Sequence, residues 1–271
     1  MNAGPTSPSP STITLPAFPV WSADPRWRCI DLLSDVHLHA EMPSTFAAWR
    51  RHLLDTPADA VLMLGDLFEV WVGDDARHQG FAADCLAVLQ QAARHKVLAF
   101  LPGNRDFLVG DALLAEAGVQ RLADPTVLRA FDQRWLLSHG DALCLDDTAY
   151  QQFRAQVRSP AWQQQFLAQP LVQREQQARA MRDASQVHQA AMDPAQWSDV
   201  DNAAASQWLQ AAHAPVLIHG HTHRPAVHRL PGGQTRWVMG DWDLDHGPAP
   251  RAQALRLQAD GLRALDLTAT D

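Results

Sequence analysis

Five short runs in this sequence end on residues that bind cations or carry protons: Ser34-Asp35-Val36-His37, Gly65-Asp66, Gly103-Asn104-Arg105-Asp106, Ser138-His139-Gly140-Asp141 and His219-Gly220-His221-Thr222-His223. Each follows an apolar stretch. Asp35 and His37 are two apart, as are His221 and His223, so in extended backbone both members of each pair face the same way. The donors are carboxylate, carboxamide and imidazole, with no thiolate. Such a set suits Mn²⁺, Fe, Zn²⁺ or Mg²⁺ and excludes a soft sulfur site. Asp35, His37, Asp66, Asn104, His139, His221 and His223 are more ligands than one ion needs beside its waters. Two ions about 3.5–4 Å apart, sharing a carboxylate, fit the number and are the usual apparatus of phosphoester hydrolysis. The glycines at 65, 103, 140 and 220 allow tight turns and close backbone approach at these positions.

To bring five such runs to one rim, the chain needs strands that end together. Apolar stretches at 27–33, 58–64, 96–101, 134–137 and 215–218 read as those strands, with helical patterns at 44–54, 80–94 and 112–117 between them. Strand and helix in alternation predict an α/β fold with a largely parallel sheet, whose carboxyl ends form the binding crevice. The C-terminal region changes style. Segments 226–230 and 236–239 flank Pro231-Gly232-Gly233, and 254–259 and 262–267 flank Asp260-Gly261, so antiparallel hairpins are expected there. Residues 147–213, rich in Gln, Ala and Arg, are far longer than a usual crossover. They read as an inserted helical cap over the strand ends. Residues 1–25, rich in Pro, Ser and Thr, read as a disordered tail ahead of a single domain over 26–271.

The 271 residues are 46% hydrophobic and 19% charged, which is a globular composition. A formal charge of −8 argues against a broad nucleic-acid surface, and no nucleic-acid partner is expected. Cys29, Cys85 and Cys144 are too few and too scattered for a disulfide framework, which fits a reducing, cytoplasmic setting. No pattern of a coiled coil or of an obligate protein partner is present. The eight histidines outside the five runs are expected at the surface or in loops. Asp75, Asp106 and Asp141 are expected either to orient ligand imidazoles or to serve in turns.

Taken in order, the runs D-x-H, G-D, G-N-x-D, H-G-D and G-H-x-H resemble the calcineurin-like metallophosphoesterase superfamily. The third block usually reads G-N-H-[DE]; here Arg105 takes the histidine's place. That arginine, the stretch from Gly65 to Asp75, the run Asp146-Asp147 to Arg154 and His219-Gly220-His221-Thr222-His223-Arg224-Pro225 resemble the UDP-2,3-diacylglucosamine pyrophosphatase family of lipid A synthesis. The resemblance implies a sandwich of mixed β-sheets flanked by helices, with the insertion as a cap. It implies two Mn²⁺ ions, one held by Asp35, His37 and His223, the other by Asn104, His139 and His221, with Asp66 bridging.

The same resemblance makes Asp66, Asn104, Arg105 and His139 catalytic. It places Asn104, Arg105, Asp147, Ser185 and His221 against the substrate, Asp147 and Ser185 at the glucosamine. The implied reaction is hydrolysis of UDP-2,3-diacylglucosamine at the α-phosphorus by hydroxide generated between the ions, giving UMP and 2,3-diacylglucosamine 1-phosphate. The implied partners are this lipid and the cytoplasmic face of the inner membrane, met peripherally. An Asn and a Lys that the family carries after the serine are not matched. Gln189 lies near the first place, and the only lysine, Lys96, is elsewhere. Another bimetallic phosphodiesterase acting on nucleotides is the alternative reading, and a scaffold that has lost catalysis ranks last because all seven ligands are present.

Overall fold

A computed structural model describes residues 15–269 apart from 192–197; the side chains of 183–191 are outside the description. Two six-stranded sheets face each other. One has the order β12-β11-β2-β3-β4-β5, the other β1-β6-β7-β8-β10-β9. In the first, β2 (Cys29–Leu33), β3 (Ala60–Leu64), β4 (Val97–Leu101) and β5 (Val119–Arg121) run parallel, while β11 (Gln253–Gln258) and β12 (Gly261–Asp266) extend it antiparallel. In the second, β7 (Gln133–Ser138), β8 (Val216–His219) and β10 (Thr235–Val238) are parallel neighbours. β6 (Thr126–Ala130) and β9 (Ala226–Arg229) pair antiparallel to β7 and β10. The single largely parallel sheet expected from strand order is therefore two mixed sheets.

The reason lies in burial. All five residues of β3, Ala-Val-Leu-Met-Leu, are buried, because both faces of the strand are covered. Ile30, Leu32, Leu62, Leu64 and Leu101 face Leu128, Leu137 and Ile218 of the other sheet. Leu33, Val61, Met63 and Phe100 face the helices α1 (Pro43–Asp55), α2 (Gly80–Ala93) and α3 (Asp111–Ala117), through Trp49, Leu53, Cys85 and Leu113. A strand apolar on both faces carries no alternation that would assign it to one sheet or the other.

The insertion between β7 and β8 holds α4 (Thr148–Val157), α5 (Pro160–Leu167), α6 (Leu171–Ala191) and α7 (Asn202–Ala212). Trp208, Leu209 and Ala205 of α7 pack on Val127, Leu136 and Leu217, so α7 is the crossover helix that a parallel β7–β8 pair requires. The region 147–213 read as a cap thus includes this crossover helix, with α4–α6 as its other helices. The expected tail is shorter. Residues 1–14 lie outside the described residues, but β1 (Val20–Ser22) pairs in parallel with Val127–Arg129. An edge strand needs pairing on one side only, so the prolines around it are tolerated.

In the middle of β2, Asp31 is fully buried and receives Arg256 through two N–H groups at 2.7 and 2.8 Å and the Thr56 hydroxyl at 2.5 Å. His52 Nε2 lies 3.2 Å away, so this histidine of α1 is buried rather than superficial. Burial opposes ionisation of Asp31, but Arg256, His52 and Thr56 outweigh it and hold the carboxyl below the usual range. A depressed folded-state pKa means stability that is full above about 3.9 and is lost as pH falls through the folded value. Asp31→Ala is expected to cost about 3 kcal/mol at neutral pH, by stranding Arg256. The gap in Tm between wild type and variant should begin to narrow as pH falls below about 4; a gap unchanged from pH 7 to pH 3 would show that the charge on Asp31 is not what the pair contributes.

Candidate metal centre

Strands β2, β3, β4, β7 and β8 end at one rim, where the two sheets meet. The Asp35 amide donates to the Gly65 carbonyl (3.1 Å), the His37 amide to the Asp66 carbonyl (3.0 Å) and the Gly220 amide to the His139 carbonyl (3.0 Å). The loops thus support one another through backbone. Asp35, His37, Asp66, His221 and His223 all have left-handed backbone, with φ between 52° and 69°. Non-glycine residues adopt it at a cost of order 1 kcal/mol, and such strain gathers where function fixes a side chain. Gly65 and Gly140 share that conformation (φ 86° and 111°). Gly103 and Gly220 have ordinary φ and serve close approach instead. A Cβ on Gly103 would strike the Asp66 carboxylate and amide, and one on Gly220 would strike Asp35 and Ser34.

The donors form two groups. Asp35, His37 and His223 offer atoms within 4.8 Å of one another, as do Asp35, Asp66 and His139. Asn104 Oδ1 lies 2.8 Å from both His139 Nε2 and His221 Nδ1, which brings in the remaining two. All seven residues singled out for their ligand chemistry are therefore together. Asp35 is the carboxylate common to the two compact groups; Asp66 Oδ2 is 3.5 Å from His139 Nε2.

The hydrogen bonds behind the imidazoles show what the front faces want. His139 Nδ1 is 3.0 Å from the Leu64 carbonyl, so its N–H points there. Nε2 then presents a lone pair to the Asn104 and Asp66 oxygens, which are themselves acceptors. Only a proton or a cation between them makes that arrangement favourable. Burial alone would push His139 down, but Asp66, with Asp35 and Asp141, holds it well above its ordinary value. His37 Nδ1 faces Glu69 at 2.9 Å, and His223 Nδ1 faces Asp241 at 3.8 Å. Their Nε2 atoms converge at 3.2 Å, with Asp35 Oδ1 3.2 Å from that of His223. For His37 and His139 this is the donor pattern of imidazole–metal binding, with a carboxylate or carbonyl holding the ring from behind. The residues fit a pair of divalent cations.

Glu69 has no role in the sequence reading, although it stands within the stretch from Gly65 to Asp75. It bridges His37 to Arg182 of α6, whose Nε is 2.9 Å away. Burial raises its pKa, but His37, Arg105 and Arg182 pull it below the usual value. No local signal distinguishes Glu69 from a solvent-exposed glutamate, since its partners come from elsewhere in the chain.

The three other carboxylates act on structure. Asp106 accepts amides of Gly103, Leu67 and Phe68 at 2.7–3.3 Å and fixes the loops after β3 and β4. Asp75 pairs with the buried Arg174 of α6. Asp141 accepts the Tyr150 hydroxyl and Arg154 Nε, both at 2.7 Å. Among the described residues, none of the three hydrogen-bonds a candidate ligand imidazole.

His219 is buried and neutral. Burial drives its pKa down to about 3, its Nδ1–H donates to the Gly220 carbonyl at 2.8 Å, and Nε2 accepts from Arg236 at 3.3 Å. It supports the Gly220 peptide that precedes His221. Arg105 is half-buried, and its amide donates to Asp66 Oδ1 at 2.8 Å. Its guanidinium makes no hydrogen bond or ion pair among the described residues. Asp147 is exposed and caps α4 by accepting the Tyr150 amide at 2.9 Å. The Ser185 side chain lies outside the described residues.

Comparison with known proteins places this geometry. The model of the calcineurin-like phosphoesterase family matches residues 30–225, from β2 through the last ligand. The chain is 45% identical over 245 residues to UDP-2,3-diacylglucosamine hydrolase of Chromobacterium violaceum, covering 88% of this chain and 98% of that one. It is 45% identical to the same enzyme of Ralstonia nicotianae (88% and 92% covered) and 42% identical to that of Bordetella pertussis (87% and 94%). Two sheets that deliver seven oxygen and nitrogen donors to one rim, and a family model that spans all of them, lead to the same conclusion: the chain belongs to the calcineurin-like phosphoesterase family.

Proposed function

We propose that this protein hydrolyses UDP-2,3-diacylglucosamine to UMP and 2,3-diacylglucosamine 1-phosphate, with two Mn²⁺ ions. The reading is carried by near-full-length likeness to relatives named UDP-2,3-diacylglucosamine hydrolase, joined to a cluster in which all seven candidate ligands lie together. Asp35, His37 and His223 would hold one ion and Asn104, His139 and His221 the other, with Asp66 as the carboxylate assigned to both. When bound, such a pair lowers the pKa of an attacking water and takes up charge on phosphate oxygens.

The chain's own groups do the rest. The buried carboxylates of Asp35 and Asp66 set a strongly negative rim that favours cations over protons. Arg105 offers a planar fork of N–H donors to the pyrophosphate oxygens, a geometry that a histidine in its place lacks. Water adds at the α-phosphorus and the bond to the bridging oxygen breaks. The leaving group is a phosphate monoester, so it departs with little need of a general acid, consistent with arginine standing where the superfamily has histidine. Asp147 and Ser185 are assigned to the glucosamine and the helices α4–α6 to the acyl chains.

No helix among the described residues is long and apolar enough to cross a membrane. Exposed Leu167, Val172 and Met181 on the insertion, with Val70 nearby in the stretch that carries Glu69, supply apolar surface for peripheral contact with the membrane that holds the substrate.

The test is UMP release from UDP-2,3-diacylglucosamine by metal-stripped protein, with and without Mn²⁺, beside a cyclic nucleotide and bis(p-nitrophenyl) phosphate. Fast, Mn²⁺-dependent UMP release with little turnover of the others is expected. Turnover of the simple diesters alone would reject the lipid substrate and keep the metal centre. Co-sedimentation with anionic vesicles in the same preparation reads the membrane contact, and its absence with and without substrate would remove that part.

A further inference from the structure

Helix α4 and its terminal residue carry Tyr150, Arg154 and Arg158, four residues apart and so on one face. All three reach Asp141, the buried carboxylate two residues beyond His139. The Tyr150 hydroxyl and Arg154 Nε donate to it at 2.7 Å, and Arg158 Nη2 at 3.3 Å. The two guanidiniums outweigh the penalty of burial and hold Asp141 ionised well below the usual carboxylate range.

Arg158 does one thing more. The same Nη2 donates to the Gly103 carbonyl at 2.9 Å, the residue before Asn104. A single side chain from the insertion thus joins the loop after β4 to the loop after β7. Above them the Tyr150 ring lies over His221, centroids 5.9 Å apart. The guanidinium itself rests 5.7 Å from the centre of the Phe107 ring.

The other donor group is braced differently. Glu69 and Arg182 stand behind His37, and Asp241 behind His223. Among the described residues, no group of α4 makes a hydrogen bond or ion pair with Asp35, His37 or His223.

We propose that Arg158 is a positioning residue that clamps the Asn104 and His139 loops together, so that the inserted helix α4 sets the affinity of one cation of the pair and not of the other. The clamp rests on the assignment of Asn104, His139 and His221 to one ion under the function proposed above. It makes the insertion part of the metal centre as well as a cover for substrate. Arg158 acts through the ligands and needs no contact with substrate.

The experiment is Mn²⁺ titration of the full-length, metal-stripped chain, read by calorimetry and by the loss of the free-ion electron paramagnetic resonance signal. Wild type is expected to bind two ions, and Asn104→Ala identifies the step that belongs to the Asn104 group. In Arg158→Met the dissociation constant of that step should rise about 10- to 100-fold, the range for groups that orient metal ligands. The other step should stay within about threefold of wild type. Arg158→Lys keeps the charge but ends one bond short of the Gly103 carbonyl, so it should fold normally and show the same selective loss. Arg154→Met removes charge from Asp141 without touching Gly103 and should weaken the step less.

Equal weakening of both steps, or no change in either, in the variant that folds would overturn the clamp. A wild type that binds only one ion would overturn the two-ion assignment itself, and the titration separates that failure from failure of the clamp.

Discussion

Asp66→Ala should abolish turnover and metal binding together, lowering kcat/KM on the order of 10³-fold or more. Asp66 is 2% exposed, one carboxylate oxygen accepts the Arg105 amide at 2.8 Å, and the other is 3.5 Å from His139 Nε2. No neighbouring group can supply the missing negative charge, because Asp35 is already engaged by the His221 amide and His223. The alanine also inherits a left-handed backbone (φ 52°), at a further cost of about 1 kcal/mol. Asp66→Asn separates the two effects. It keeps the shape and the acceptor for Arg105, so its Tm should stay near that of wild type while activity and bound Mn²⁺, measured by mass spectrometry of the digested protein, are lost. Full turnover by either variant would remove Asp66 from the centre.

The seven donors were legible because each stands directly after an apolar run, and the end of a strand is a place that sequence marks twice, by the loss of hydrophobicity and by glycine. What holds the donors was not legible. Glu69 and Arg158 act across 32 and 55 residues of chain, on His37 and Gly103, and nothing local tells them from solvent-facing charges; Asp106, expected either behind an imidazole or in a turn, holds the turn through the Gly103 amide three residues away. Strand order alone suggests one sheet for a related reason: β3 is apolar on both faces, which says that it is covered but not by what, and it was the family resemblance that implied the two-sheet sandwich observed. The edge strand β1 was hidden by its prolines, although Pro19 takes part in the pairing through its carbonyl, which accepts the Val127 amide at 2.8 Å, and the Ala23 amide closes the other end on the Arg129 carbonyl at 2.9 Å. Asp74, within the same stretch as Glu69, accepts the Gly110 and Leu113 amides at 2.8 Å and caps α3.

Gly103→Ala is expected to be nearly as damaging as loss of Asp66, for a reason the glycine's conformation does not show. Its φ is ordinary, so an alanine there meets no backbone penalty. Its Cβ, however, would lie against the Asp66 carboxylate and backbone amide, with the Asp66 Cγ at 2.9 Å. Asp66 cannot retreat, because the Asp106 carboxylate accepts its own amide at 3.3 Å and the Leu67 amide at 2.7 Å, and holds Gly103 against them through the Gly103 amide at 2.8 Å. The collision must therefore move the carboxylate or separate β3 from β4. Overpacking of this kind costs about 1–3 kcal/mol, and a displacement of roughly 1 Å at a reacting centre costs about 10²-fold in rate. Tm should fall by roughly 5 °C, with Mn²⁺ affinity falling alongside. Gly240→Ala is the matched control, since its Cβ would meet nothing nearer than 3.6 Å, and it should change stability by less than about 0.5 kcal/mol. If Gly103→Ala behaved like Gly240→Ala, the contact between the two loops would have to be looser than described, and the same slack would undo the argument that Arg158, bonded to the Gly103 carbonyl, fixes Asn104.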